Sequence, residues 1–381
     1  MELLSDKALM SAPIAQLVDP SRQRLAEVLV SRQRPLFFSV AALEIATLLW
    51  MWRSGRAAGL RDSLRRTIRN PHLLRLSYVF CLAMIAEIAA FPAAFIAYRF
   101  AVSSGLSLQS PAEWLGQAAS TAIVDALLAA VIFWAMLTLA EKTRLWYVFG
   151  VLVLVFFVLL AAFAEPVVLA PWLRHHQTLA DGPLATRLYA IERKAGVNVP
   201  ITIESINSRA DVSRTAGFGP TARIVVSDTL VSNATTGELA FVVARESAHI
   251  ASGDIMRLEL YATLWLIVAA ALAVTVADRI GFRRDDDPLS RLALLGTFLG
   301  VAILLLLPVV NAYSRRLEAR ADHAALVTTA DPASAVRLLV RIADVNLLPV
   351  CPPQTVRRYF LTYPPVGSRI AAIRGGGDPC P

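Results

Sequence analysis

Charge is scarce in this chain: only 17% of its 381 residues are Asp, Glu, Lys or Arg, against about 25% in an ordinary soluble domain. Hydrophobic residues make up 56%, and the mean hydropathy is +0.56. That balance excludes a soluble globular protein and points to a membrane protein. Lysine is rarer still (Lys7, Lys142 and Lys194), so the net charge of +8 is arginine charge. The arginines fall in short stretches between apolar runs and in the C-terminal part, the pattern of membrane-flanking charge and not of a nucleic-acid-binding surface. The expected partner is the lipid bilayer, with no nucleic acid. Three cysteines, Cys81, Cys351 and Cys380, imply neither a disulfide framework nor a cysteine metal cluster. Cys81 lies in an apolar run and is expected to pack there. The C-terminal Gly-Gly-Gly-Asp-Pro-Cys-Pro is expected to fray. It is not a prenylation signal, because its cysteine is second from the end. Residues 1–35 are polar and charged, so no cleavable leader is expected. Internal repeats and long low-complexity tracts are also lacking.

Long apolar runs, by contrast, are plentiful. A bilayer-spanning helix needs about 20 mostly apolar residues. Leu76–Tyr98, Ala118–Ala140, Leu145–Leu169 and Leu258–Ala277 meet that requirement. Leu292–Tyr313 is a fifth run, expected to be bent or ended by Pro308. Leu36–Trp52 is a shorter sixth, with Glu44 in its middle, that either spans or lies at the interface. Glu44, Glu87, Asp125 and Glu165 fall within or at the ends of these runs. They are read either as snorkelling or neutral hydrogen-bonded carboxyls, or as the lining of a polar chamber. Seven arginines between Arg53 and Arg75 would place that loop in the cytoplasm. The basic N-terminal segment disagrees if 36–52 spans.

Between Pro171 and Arg257 the character changes. Ile201–Ile206 and Arg223–Ser227 are β-branched runs bounded by turn residues and read as strands. Thr235–Gly253 reads as a helix, with Thr235, Thr236 or Gly237 as its cap, Glu238 in its first turn and Gly253 at its end. Ser314–Val327 reads as a second polar helix. The expected division is a polar segment 1–35, a transmembrane region 36–171, an α+β unit 172–256, a transmembrane hairpin 257–313 and a return to the α+β unit at 314–381.

The first helix carries Arg245-Glu-Ser-Ala-His249. In H-E-x-x-H two histidines one turn apart bind zinc, and the glutamate acts as general base. Glu246 and His249 fit that pattern, but Arg245 stands at the first histidine. A guanidinium has no lone pair for a metal. An isolated E-x-x-H is a weak signal. It is strengthened by Glu318 and Asp322, four residues apart on one face of the second helix. In zincins such a helix supplies a glutamate ligand and a carboxylate that orients a ligand histidine.

The chain resembles the CAAX prenyl protease family, integral-membrane gluzincin zinc metalloendopeptidases, from about residue 76 to residue 374. The resemblance rests on ordered matches: Tyr98-Arg99 with Gly105 through Trp114; Glu165-Pro166 with Ala170-Pro171-Trp172; Arg223 through Leu230; Glu238 through Asp254; Ser314 through Asp322; and Tyr363-Pro364-Pro365 with Arg369 and Ile370. It implies an α-helical membrane bundle of about six spans, one fewer than the family has, with a small zincin-like α+β domain. The spans would enclose a polar chamber in the cell inner membrane, with the site facing the cytoplasm. It also implies Zn²⁺ as cofactor, His249 and Glu318 as ligands, Glu246 as general base and Asp322 as the orienting carboxylate. Arg369 and Tyr363 would stand on the side of the developing oxyanion.

The departures gather at that machinery. Arg245 replaces a ligand, Tyr363 stands where the family has histidine, and Thr215-Ala216 stands where it has Asn-Ala on the strand that holds substrate backbone. Two ligands are too few for a catalytic zinc, which takes three plus water. His323, about 140° round the helix from Glu318, faces elsewhere. His175 and His176 form a solvated pair, and His72 is interfacial. Without metal, Glu246, Glu318 and Asp322 would crowd three carboxylates together, at a cost unless a counter-charge is present. The guanidinium fork suits such carboxylates. Arg245 is therefore expected to link the two helices in place of zinc; the alternative is an arginine turned to solvent. Three functions compete: a pseudoprotease retaining a chamber for membrane-associated or lipidated peptides, an active zinc endopeptidase, and a purely structural membrane protein.

Overall fold

Apolar length dictates the architecture. The computed structural model describes residues 5–143, 145–169, 175–279 and 288–380. It begins with two short helices, α1 (Asp6–Ser11) and α2 (Ile14–Leu17), followed by the long α3 (Pro20–Arg53). An arginine-rich α4 (Arg56–Thr67) leads into α5 (Pro71–Ser103), α6 (Pro111–Lys142) and α7 (Trp146–Ala164), which runs into a π-helical turn at Glu165–Leu169. Among the described residues, six helices are long and apolar enough to cross a membrane: α3, α5, α6, α7 and the two that follow the α+β unit. Their outward side chains, such as Ile88, Leu152 and Leu305, are exposed, as expected where lipid replaces water as solvent. The protein is a multi-pass α-helical membrane protein.

The Leu36–Trp52 run belongs to α3, which is continuous from Pro20. That helix is long and apolar enough to cross a bilayer. The expected exit at Ala170-Pro171-Trp172 lies outside the described residues.

The α+β unit has a four-stranded sheet in the order β1-β2-β4-β3. β1 (His175–Thr178) runs antiparallel to β2 (Ile201–Ser205), β2 is parallel to β4 (Arg223–Ser227), and β3 (Ser213–Ala216) closes the other edge antiparallel to β4. The helix α8 (Pro183–Lys194) lies between β1 and β2, and α9 (Asp228–Asn233) follows β4. Gly217, just after β3, has φ +70°, and a Cβ there would lie 2.6 Å from the Thr221 carbonyl, so only glycine fits that turn.

Next comes α10 (Thr236–Ser252). Thr235 caps it in a reciprocal box with Glu238: the Glu238 amide donates to Thr235 Oγ1 (3.3 Å) and the Thr235 amide to Glu238 Oε2 (2.6 Å). Such a box satisfies two orphan donors of the first turn. Gly253, at φ +64°, ends the helix, as left-handed glycines do. The opposite face of α10 buries Leu239, Phe241, Val242 and Val243 against Ile201, Ile224 and Val226 of the sheet.

Two long helices complete the span bundle: α11 (Asp254–Arg279) and α12 (Pro288–Thr329). The apolar run does not end at Pro308. The apolar run and the polar Ser314–Val327 segment are one helix of 42 residues with Pro308 inside, about 63 Å long at 1.5 Å per residue. A proline in a span is tolerated where neighbouring helices re-satisfy the freed backbone groups. The chain closes with α13 (Pro332–Val345), α14 (Gln354–Tyr359) and α15 (Val366–Ile373).

The tail corrects two expectations. Cys351 and Cys380 form a disulfide, with Cα atoms 5.1 Å apart, and Cys380 is buried. The tail through Cys380 is therefore pinned, not frayed. Sequence separation hid the pairing: the two cysteines are 29 residues apart, with nothing local to join them.

The N-terminal helices are also docked. Leu9 and Leu17 pack with Val336, Leu339, Val366 and Ile370. The 104–110 loop meets the α+β unit through Leu108 N–H to the Asn207 carbonyl (3.0 Å) and Arg209 N–H to the Leu106 carbonyl (3.1 Å). Tyr98 and Trp114 stack at 4.8 Å beside it.

Candidate active site

Two helices and one strand build the site. α10 presents Arg245, Glu246 and His249 along one flank. α12 descends from the membrane beside it and presents Glu318 and Asp322. β3, an edge strand, brings Ser213 and Thr215. The cleft they line has a volume of about 180 Å³.

Arg245 holds the centre. Its Nη1 donates to Glu246 Oε1 at 2.7 Å, its Nη2 pairs with Glu318 Oε2, and its Nε lies 3.3 Å from Asp322 Oδ1. The guanidinium thus joins α10 to α12, as expected, and is not turned to solvent. The three carboxylates raise its pKa against the opposing effect of burial, so it stays charged.

Glu246 is 2% exposed and pinned on both oxygens. Oε1 accepts from Arg245 and from the Ser213 hydroxyl (2.9 Å), and Oε2 accepts from the Thr215 hydroxyl (3.0 Å). His249 is buried between carboxylates. Its Nδ1 is 2.9 Å from Asp254 Oδ2, and its Nε2 is 3.7 Å from Glu318 Oε1. Burial acts to lower its pKa, but the Asp254 hydrogen bond and the nearby Glu318 carboxylate outweigh it and hold the imidazole at about 9. Asp254 is in turn paired with Arg320.

Arg369, on α15, directs its fork at Asp322: Nε to Oδ2 at 2.7 Å and Nη2 to Oδ1 at 2.8 Å. Two of its donors are therefore committed to that carboxylate. Tyr363 is half-buried. Burial raises its pKa, and the charges of Arg369 and Glu318 reach it. The structure thus brings Arg245, Glu246, His249, Glu318, Asp322 and Arg369 into one network.

Three other histidines stay apart; the side chain of His175 lies outside the described residues. His323 is exposed. His176 lies 4.0 Å from Glu204 on β2, at the sheet edge remote from β3, and it is half-buried instead of solvated. His72 Nδ1 accepts from the Trp134 indole (3.1 Å). Glu165, one of the four carboxylates near the spans, pairs with Arg214 at 3.3 Å. Glu87 and Asp125 line a common cavity with Gln109, Trp114 and Gln117.

Ser213, Asp254 and Arg320 escaped sequence reading. Asp254 lies beyond the Gly253 helix end, so no helical spacing links it to His249. Ser213 sits on a polar strand with no alternating pattern to reveal it.

A catalytic zinc takes three protein ligands and leaves a position for water. Among the described residues no group of three or more His, Cys, Asp or Glu is placed to hold a metal. The donor set explains why. Arg245, Arg369, Arg320 and protonated His249 face Glu246, Glu318, Asp322 and Asp254, one cation for each carboxylate. A divalent ion would enter a cluster already balanced, against a fixed guanidinium. The residues present do not fit the metal.

The model of "Peptidase family M48" matches residues 183–376. The chain is 23% identical over 374 residues to a protein named "Uncharacterized metalloprotease YhfN" from Bacillus subtilis, covering 93% of this chain and 86% of that protein. It is 29% identical over 198 residues to Protease HtpX of Glaesserella parasuis, covering 48% of this chain and 69% of that protein. Among solved structures, Ste24p of S. mikatae superposes with a TM-score of 0.78 at 16% identity, covering 97% of this chain and 93% of that one. That likeness concerns the fold, and with the family match it bears out the membrane-metalloprotease resemblance read from the sequence.

Proposed function

The chain belongs to peptidase family M48, and we propose that it is a pseudoprotease of that family, a membrane-embedded peptide-binding protein that does not hydrolyse. One observation carries this reading: the Arg245 guanidinium, at the position of the first zinc ligand, engages Glu246, Glu318 and Asp322 together. A base needs a lone pair within reach of water, and Arg245, Ser213 and Thr215 already occupy three of the roughly four acceptor sites of the Glu246 carboxylate.

The same geometry supports retained binding. β3 is an edge strand, and an edge offers backbone donors and acceptors to an extended peptide. It borders the cleft beside the span bundle, which suits membrane-associated or lipidated peptides as ligands.

The test is zinc content of the purified full-length protein, native and Arg245→His, measured by atomic emission with peptide hydrolysis in parallel. Zinc is expected only in the variant, where the introduced imidazole would join His249 and Glu318. Stoichiometric zinc with hydrolysis in the native protein would instead establish an active metalloendopeptidase whose Arg245 leaves the cleft.

A further inference from the structure

The six spans sort every connection to one of two ends. α1 and α2 pack on α13 and α15, and the 104–110 loop pairs with residues 207–209. The N-terminus, that loop, the sheet and residues 314–380 therefore share one end. At the other end lie α4, the end of α6, the end of α11 and the start of α12. There Met51, Ala57, Leu74, Leu289 and Leu292 pack together.

In the short loops, positive charge divides unevenly between these ends; Arg99, Arg257, Arg315, Arg316 and Arg320 flank the spans at the site end but lie outside its one short loop. The remote end carries seven arginines from Arg53 to Arg75, with Lys142, Arg279 and Arg291. The 104–110 loop at the site end has no lysine or arginine. The N-terminal approach to α3 holds Arg22, Arg24, Arg32 and Arg34, fewer than the 53–75 loop alone. Excess Lys and Arg in short loops marks the cytoplasmic face.

A second, independent observation agrees. The Cys351–Cys380 disulfide sits at the site end. Cytoplasmic thiols are kept reduced, and stable disulfides belong to oxidising compartments. This one is built into the fold. A Cβ on Gly367 would lie 2.9 Å from each sulfur, so the bond packs directly on the first turn of α15. The tail is held further by Arg357 Nη1 to the Cys380 carbonyl (3.0 Å) and by the Ser368 hydroxyl to Asp378 (2.6 Å). Two residues past Gly367 is Arg369, which grips Asp322.

From the charge asymmetry and the packed disulfide together, we propose that the site-bearing domain lies on the extracytoplasmic face of its membrane, where Cys351 and Cys380 are joined as a disulfide that fastens the Arg369 helix. This reverses the cytoplasmic orientation expected from family resemblance. It directs the cleft toward polypeptide segments outside the cell interior. The bond forms by exchange with a disulfide-bearing oxidant of that compartment. Cys351, which is exposed, attacks as thiolate to give a mixed disulfide. The Cys380 thiolate then displaces the oxidant, which leaves as a dithiol carrying the two electrons and, after protonation, the two protons. The inference is independent of whether the site hydrolyses peptides.

The experiment uses the full chain in sealed spheroplasts. Free thiols are blocked, the outer face is reduced with an impermeant phosphine, and new thiols are tagged with an impermeant polyethylene-glycol maleimide. The expected result is a two-tag shift that appears only after reduction and is lost in the Cys351→Ser/Cys380→Ser variant. A Ser63→Cys reporter on α4 is expected to label only after permeabilisation. A second readout needs no variant: an unreduced digest of the native protein should contain the Cys351 and Cys380 peptides linked. Free thiols at both positions, tagging that requires permeabilisation, or labelling of Ser63→Cys in sealed spheroplasts would each overturn the proposal.

Discussion

Without the Arg245 guanidinium, Glu246, Glu318 and Asp322 would face one another with their main counter-charge gone. Removing one member of a largely buried ion network costs about 3–5 kcal/mol. Arg245→Met should therefore lower the unfolding temperature in detergent, while Arg245→Lys, which keeps the charge but not the fork, should lose less. His249 gives a pH signature. Its pKa is raised from 6.5 to about 9 because Asp254 and Glu318 outweigh the effect of burial. A raised pKa on a base means that the folded state binds the proton more tightly. Its stabilisation is complete below about pH 6.5 and is lost as pH rises through about 9. Thermal unfolding of the metal-free protein from pH 6 to 10 should show that decline, and His249→Gln should flatten it. At this scale the sequence was informative. Position alone predicted the Arg245 link, because a fork beside three carboxylates has few better partners. It could not reveal that Ser213 and Thr215 hold Glu246, since that contact spans more than 30 residues of chain.

Among the elements, those with local signals were legible. Thr235, Glu238 and Gly253 bound α10 through side-chain and backbone chemistry that needs no tertiary partner. β1 has no signal in the sequence, and β3 has only the resemblance at Thr215-Ala216. His-His-Gln-Thr and Ser-Arg-Thr-Ala have no apolar alternation, and they are strands because β2 and β4 supply ladder partners. Pro308 does not end α12, since a span bundle can hold a helix through proline. The packing of α12 on α3 uses another feature. A Cβ on Gly296 would lie 3.1 Å from Leu48 Cδ1, and one on Gly300 would lie 2.9 Å from Ile45 Cγ1. This is a small-xxx-small contact of the kind that lets membrane helices approach closely. Gly300→Leu should force the two helices apart at a cost of about 1–3 kcal/mol, visible as a lower unfolding temperature with no change in helix content by circular dichroism.

Over the whole molecule, chain ends far apart in sequence stabilise one another. Leu9 is fully buried and Leu17 nearly so, against α13 and α15, and Arg374 donates to the carbonyls of Leu9 and Ala12. Burial of a leucine side chain contributes about 1.5–3 kcal/mol. Deleting residues 1–18 should uncover Val336, Leu339 and Ile370. It should also speed proteolysis of the 354–380 region relative to the spans, which limited digestion followed by mass spectrometry would show.

The sequence by itself determined the solvent of this protein, the number of its spans, its metal-type helix and the residue that departs from the metal-binding pattern. These follow from composition, apolar length and short-range spacing, which act within a turn or two of chain. Tertiary structure decided what lies opposite each charge, that Cys351 meets Cys380, and which strand borders the cleft. Those contacts join residues tens to hundreds of positions apart, and only the folded path of the spans brings them within hydrogen-bond or bond distance.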